Sequence, residues 1–97
     1  MAVKGKSGVL MKARGKWQGY GVEITLYRDG VLGVLVYENT IPPRFALAMT
    51  DSGKWEVYNP HNLPLPPLDQ TMVDFWGWGK LTDWLKQNGT DVEEVFE

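Results

Sequence analysis

Between Tyr20 and Tyr27 every second residue changes character. Tyr20, Val22, Ile24 and Leu26 fall on one side, and Gly21, Glu23, Thr25 and Tyr27 on the other. A period of two in β-branched and aromatic residues is the pattern of a strand with one buried face. Asp29-Gly30 follows at once and Val31 to Tyr37 is apolar again. Asp-Gly between two apolar runs predicts a tight hairpin whose central positions both take positive φ. The return strand is apolar on both faces except at Gly33, so it is expected near the middle of a sheet.

The same logic predicts a second hairpin. Phe45, Leu47 and Met49 alternate with Ala46, Ala48 and Thr50, Asp51-Ser52-Gly53 makes the turn, and Lys54 to Tyr58 returns with Trp55 and Val57 on one face. A shorter strand is expected around Val9–Lys12. The result is an antiparallel meander of four or five strands, one face of which needs a cover. Pro60, Pro64, Pro66 and Pro67, interleaved with Leu63, Leu65 and Leu68, predict an extended strap that is neither helix nor central strand.

Helix signals follow the strap. Thr71 and Asp74 stand in capping-box spacing, with Asp69 as a rival cap. Lys86 lies in the last turn, and Gly89 after Asn88 predicts a stop in the left-handed conformation. That reading also accounts for Asn88-Gly89-Thr90, which otherwise has the form of a glycosylation acceptor. Gly77 and Gly79 sit inside the segment, each costing about 1 kcal/mol relative to alanine. Met72, Val73, Phe75, Trp76, Trp78, Leu81, Trp84 and Leu85 do not share one stripe. Either the helix breaks near Trp78 or it packs against two things at once. The expected fold class is α+β: the four- or five-stranded meander with one C-terminal α-helix packed on one face. Ninety-seven residues make this a single domain, 1–97, with residues 1–8 as a flexible basic arm and 90–97 as an acidic tail.

The charge is segregated. Residues 1–30 carry six basic groups against two acidic ones, a net of +4, and residues 31–97 carry four against ten, a net of −6. The formal −2 of the whole chain therefore says little about partners. A basic set, Lys4, Lys6, Lys12, Arg14 and Lys16 with Trp17 and Tyr20, has the composition of a single-stranded nucleic-acid groove, joining phosphate neutralisation to base stacking. The competing expectation is a solvated arm that keeps the chain soluble or pairs with its own acidic tail, and a pI near 5.3 argues for that one.

A second set is aromatic. Phe75, Trp76, Trp78 and Trp84 crowd one helical segment, three of the chain's five tryptophans among them. Large rings there either fill the space between helix and sheet or anchor a partner. The leading expectation is a non-catalytic protein-interaction module that forms a homodimer through exposed aromatics of the helix or the sheet's open face. A small single-stranded nucleic-acid binder is the alternative. Carbohydrate binding by surface tryptophans lacks supporting polar groups. Docking of the Leu-Pro-rich strap into another protein is outweighed by its use as a stiff connector.

Catalysis finds no support. There is no cysteine, His61 is the sole histidine and lies in a loop, and neither Ser7 nor Ser52 has a nucleophile-elbow context. Asp69, Asp74 and Asp83 do not share a helical face, and no phosphate loop, dinucleotide fingerprint or metal spacing occurs. The expectations are no enzyme activity, no cofactor and no metal. Apolar runs fall far short of the roughly 20 residues that span a bilayer, and the N-terminal lysines precede no signal-peptide core. A cytoplasmic chain without membrane attachment is expected.

Overall fold

The computed structural model describes residues 8–69 and 74–96. Six strands form one antiparallel sheet: β1 (Val9–Trp17), β2 (Tyr20–Tyr27), β3 (Leu32–Glu38), β4 (Arg44–Asp51), β5 (Lys54–Tyr58) and β6 (Thr90–Phe96). The order across the sheet is β5-β4-β3-β2-β1-β6. One helix, α1 (Asp74–Asn88), lies between β5 and β6 in the chain and packs on one face. The fold is therefore the expected α+β meander with a C-terminal helix, and it has six strands where four or five were expected.

The extra strand and the longer first strand have one cause. β1 runs to Trp17 rather than stopping near Lys12, and the segment read as an acidic tail is β6, hydrogen-bonded along it. Charged residues on one face of each hide the alternation from a hydrophobicity reading. Lys12, Arg14 and Lys16 point one way, and so do Asp91, Glu93 and Val95 beside them, as the pairings Lys12↔Val95 and Arg14↔Glu93 require. A bulge lies between Arg14 and Lys16, with Asp91 at φ 54° across from it. The expected flexible arm, residues 1–8, lies outside the described residues except for Gly8, whose carbonyl accepts the Arg28 amide at 2.9 Å.

Turn chemistry also departs from expectation in detail. Asp29-Gly30 does reverse the chain, but only Gly30 takes positive φ, at 87°. The Gly30 amide donates to the Tyr27 carbonyl at 3.0 Å and the Asp29 carboxylate accepts from the Val31 amide at 3.2 Å, so the loop is longer than a two-residue turn. The two-residue turns with both centres at positive φ are Ser52-Gly53 (53° and 76°) and Gln18-Gly19 (54° and 84°).

The covered face holds the core. Val22, Ile24 and Leu26 of β2, Leu32, Val34 and Val36 of β3, and Ala13 of β1 are fully buried there. α1 is continuous through Gly77 and Gly79 and sets Trp78, Leu81 and Leu85 against β1, β2, β3 and β6. The buried Thr82 hydroxyl donates to the Trp78 carbonyl at 2.8 Å within the helix. Thr71, expected as the cap of this helix, lies outside the described residues. At the other end Gly89 is not in the left-handed region. Its missing side chain serves contact instead, because a Cβ there would lie 2.8 Å from the Lys16 carbonyl oxygen and 2.9 Å from Leu85.

α1 does not reach β4 or β5. The proline strap covers that side, as a connector: Leu63 is buried, Leu65 and Leu68 pack on the core, and the Trp55 indole donates to the Asp69 carbonyl at 3.0 Å. Asn59 fastens its start, donating to the Leu63 carbonyl and accepting the Leu63 amide, both at 2.8 Å.

Candidate functional site

The opposite face of the sheet has no covering element among the described residues. Alternation sends there Tyr58 and Glu56 from β5, Phe45, Leu47 and Met49 from β4, Leu35 and Tyr37 from β3, Glu23 and Thr25 from β2, and the charged residues of β1 and β6. Phe45 and Tyr58 are 41% and 59% exposed, with ring centroids 6.0 Å apart. Tyr37 is flattened across β2, because its paired residue is Gly21 and a Cβ at that position would run into the ring.

β4 distributes its side chains against the ordinary rule. Its covered face takes the small Ala46, Ala48 and Thr50, all buried, while the larger Phe45, Leu47 and Met49 go to the open face. The Thr50 hydroxyl accepts the Leu32 amide at 2.9 Å, which ties the small side of the strand into the core. Three shallow depressions mark the open face. One of about 290 Å³ is bounded by Leu47, Met49, Glu56, Val57 and Tyr58. A second of about 170 Å³ shares Leu47 and Met49 and extends over Gly33 and Thr25 to Lys12. The third, about 340 Å³, lies between Tyr37, Arg14, Lys16, Asp91 and Glu93.

The charged half of this face is neutralised within itself. Lys12 pairs with Glu23 at 3.3 Å, Arg14 with Glu93 at 4.0 Å and Lys16 with Asp91 at 3.8 Å. Lys86 of α1 meets Glu94 on the other face at 3.2 Å. At the β3–β4 end, Arg44 is held by Glu38 at 2.6 Å, and that hydrogen bond raises the guanidinium pKa above its ordinary value. The basic head and acidic tail thus meet within one chain.

The two residue sets singled out from sequence are divided by the fold. Phe75 and Trp76 are each 63% exposed on the outer side of α1, where the Lys80 ammonium stands 5.1 Å from the Trp76 ring. They border a depression of about 320 Å³ with Gly79 and Asp83. Trp78 is in the core, and Trp84 is half-buried edge-on to Trp17 with centroids 4.8 Å apart. Of the basic set, Lys4 and Lys6 lie outside the described residues. Lys12, Arg14 and Lys16 share the open face as their spacing implied, but Trp17 and Tyr20 lie on the covered face and pack on the core. The aromatic that does adjoin those cations, Tyr37, belongs to a strand expected near the middle of the sheet and was not among the residues singled out from sequence. The signal for this face was the phase of Ala46 and Ala48 against Phe45 and Leu47.

Among the described residues no group of three or more metal-ligating side chains is brought together, and His61 is exposed beside Pro60. No helix among them is long and apolar enough to cross a membrane. No family model, curated protein or solved structure gives a significant match to this chain.

Proposed function

We propose that this chain is a small non-catalytic protein-interaction module of the cytoplasm that self-associates through the open face of its sheet. The observation that carries the reading is the size inversion on β4. A strand that buried its side chains only against its own helix and strap would put Phe45, Leu47 and Met49 inward and leave alanine outside. The reverse arrangement keeps the larger apolar area for a layer that none of the described residues supplies. Neighbouring Leu35, Tyr37 and Tyr58 extend the patch, and aromatic anchors of this kind dominate the energetics of interfaces.

A second copy is the simplest layer. The strip formed by β3 and β4 carries no charged residue on its open face between Phe45 and Met49, so it meets its own image without burying an unpaired charge. Phe75 and Trp76 lie on the far side of α1 and form a separate, smaller patch.

Sedimentation or light scattering over a concentration series tests the reading. A dimer is expected, and Leu47→Asp is expected to raise its dissociation constant at least ~10-fold, equivalent to about 1.4 kcal/mol, with the fold retained by circular dichroism. A wild-type chain that stays monomeric at high concentration overturns the proposal. Single-stranded nucleic acid is the competing occupant, favoured by the row Lys12, Arg14 and Lys16 beside Tyr37. It requires binding that weakens steeply with salt. The carboxylates already paired to all three cations weigh against it.

A further inference from the structure

Asn88-Gly89 joins α1 to β6, and packing at that joint dictates the residue that follows the asparagine. A Cβ on Gly89 would stand 2.8 Å from the Lys16 carbonyl oxygen and 2.9 Å from Leu85. Glycine is needed there for contact, and glycine is also the residue that least obstructs attack of its own nitrogen on a preceding asparagine side chain. Of the four asparagines, Asn59 precedes a proline, which has no N–H to give up. Asn39 and Asn62 precede Thr40 and Leu63, whose side chains crowd the same attack. Asn88 has an open neighbour and is itself exposed to water.

The same joint restrains both reacting groups. The Gly89 amide donates to the Leu85 carbonyl at 2.7 Å, and the Asn88 side-chain amide donates to the Trp84 carbonyl at 2.8 Å. The attacking nitrogen thus keeps its proton on one helical carbonyl, while the carboxamide is turned back along the helix to the carbonyl before it. Both bonds belong to the last turn of α1, and helix ends open at little cost in free energy. We infer that Asn88-Gly89 is a self-modification site gated by that turn, and that its product loosens β6 from β1. When the turn frays, the Gly89 nitrogen gives its proton to solvent base and bonds to Asn88 Cγ. The Cγ–Nδ2 bond breaks, and the side-chain nitrogen takes up a proton and leaves as ammonia. Water then adds to either carbonyl carbon of the succinimide and breaks that carbon's bond to the ring nitrogen. Opening at Cγ leaves aspartate at position 88, and opening at the backbone carbonyl leaves isoaspartate, whose main chain runs through Cγ.

Either product damages the joint. Aspartate lacks the donor that the Trp84 carbonyl accepts, and it sets an anion beside the last carbonyls of α1, where negative charge is unfavourable. Isoaspartate adds one carbon to the main chain immediately before Gly89, which has no room to shift towards Lys16 or Leu85. The next pairing is Lys16↔Thr90, and Asp91 beyond it holds the Lys16 ammonium at 3.8 Å. Apart from its hydrogen-bonded ladder, β6 is held by exposed ion pairs and the half-buried Val92. Loss of its anchored start therefore uncovers Lys16 and the edge of β1. The site adjoins α1 on the covered side of the sheet, so it stands or falls independently of self-association through the open face.

The whole chain, aged at mildly alkaline pH with and without urea and then cut with trypsin, tests the inference. Cleavage after Lys86 releases residues 87–97 as one peptide, in which mass reads the conversion of amide to acid and chromatography separates the isoaspartate form. In urea, Asn88 is expected to convert several-fold faster than Asn39 or Asn62. In the folded chain it is expected to convert several-fold more slowly than in urea. Conversion of Asn39 or Asn62 ahead of Asn88 in urea overturns the site, and equal rates at Asn88 with and without urea overturn the gate. Isoaspartate-bearing protein, separated from the folded aged sample by ion exchange, is expected to exchange backbone hydrogens in residues 90–96 several-fold faster than fresh protein, with β3 unchanged. Unchanged exchange in residues 90–96, or an equal gain in β3, overturns the loosening of β6.

Discussion

The two faces of this sheet are made by alternate residues of the same strands, yet they solve opposite problems. The covered face sorts side chains by what α1 and the strap leave room for. Val22, Ile24, Leu26, Val34 and Val36 fill the middle, alanines take the tight positions on β4, and no buried side-chain polar atom among the described residues lacks a partner. The open face sorts by column. Apolar and aromatic residues gather on β3 and β4, and ion pairs gather on β1 and β6. The backbone is common to both, so the difference lies in what stands above each face. On the proposed reading, a second layer over the open face is what collects Phe45, Leu47 and Met49 there while the reverse of the strand collects Ala46 and Ala48.

The largest expected effect separates the faces directly. Ile24→Ala is expected to cost about 2–5 kcal/mol in urea unfolding, because it opens a cavity under α1. Leu47→Ala, measured at concentrations low enough to hold the chain monomeric, is expected to cost about 1 kcal/mol, since its half-buried side chain gives up only part of its transfer energy. Equal costs would mean that the open face is already a core, and the contrast would collapse.

How much of this was legible follows the same division. β2, the central place of β3 and the β4–β5 hairpin are written in apolar alternation, which one face in contact with a core imposes. β1 beyond Lys12 and all of β6 are not, because their open-face positions hold charges that satisfy one another only when Arg14 meets Glu93 and Lys16 meets Asp91 across the length of the chain. A basic arm and an acidic tail are what such strands look like one at a time. The tryptophans do not face one way, for a related reason. Trp76, Trp78 and Trp84 are close in sequence, but a helix turns them to solvent, to the core and to Trp17 respectively. Gly89 was recognised as a stop and misread in mechanism, since close approach to Lys16 and Leu85 depends on a strand that the local sequence does not announce.

A smaller effect sharpens the open face itself. Gly21→Ala is expected to cost about 1 kcal/mol, the low end for forced overpacking, because the Tyr37 ring it displaces has solvent to swing into. In a Tyr37→Ala background the same change is expected to cost nothing, and a double-mutant cycle by chemical unfolding measures the coupling. Persistence of the full cost without the ring would show that Gly21 serves the backbone rather than Tyr37.

The smallest effect belongs to the charged columns. Arg14→Ala is expected to change stability by no more than about 0.5 kcal/mol, since the pair with Glu93 is long and both partners are well exposed. Thermal unfolding at low and high salt is expected to differ by as little. A loss comparable with that from Ile24→Ala would give the charged half a structural weight that its geometry does not suggest.

The pairing of β6 with β1 sets this sheet apart in one more respect. The other four pairings join strands that follow one another in the chain, so each closes a short hairpin at little entropic cost. The contact of Met11 with Phe96 closes nearly the whole chain. Closure of that loop gains from having α1 already docked, with only Gly89 between Asn88 and Thr90 to steer the last strand into place. The pairing of β6 with β1 and the docking of α1 on β1 and β2 therefore hold the longest sequence separations in the fold, and they are the contacts whose closure costs the most chain entropy.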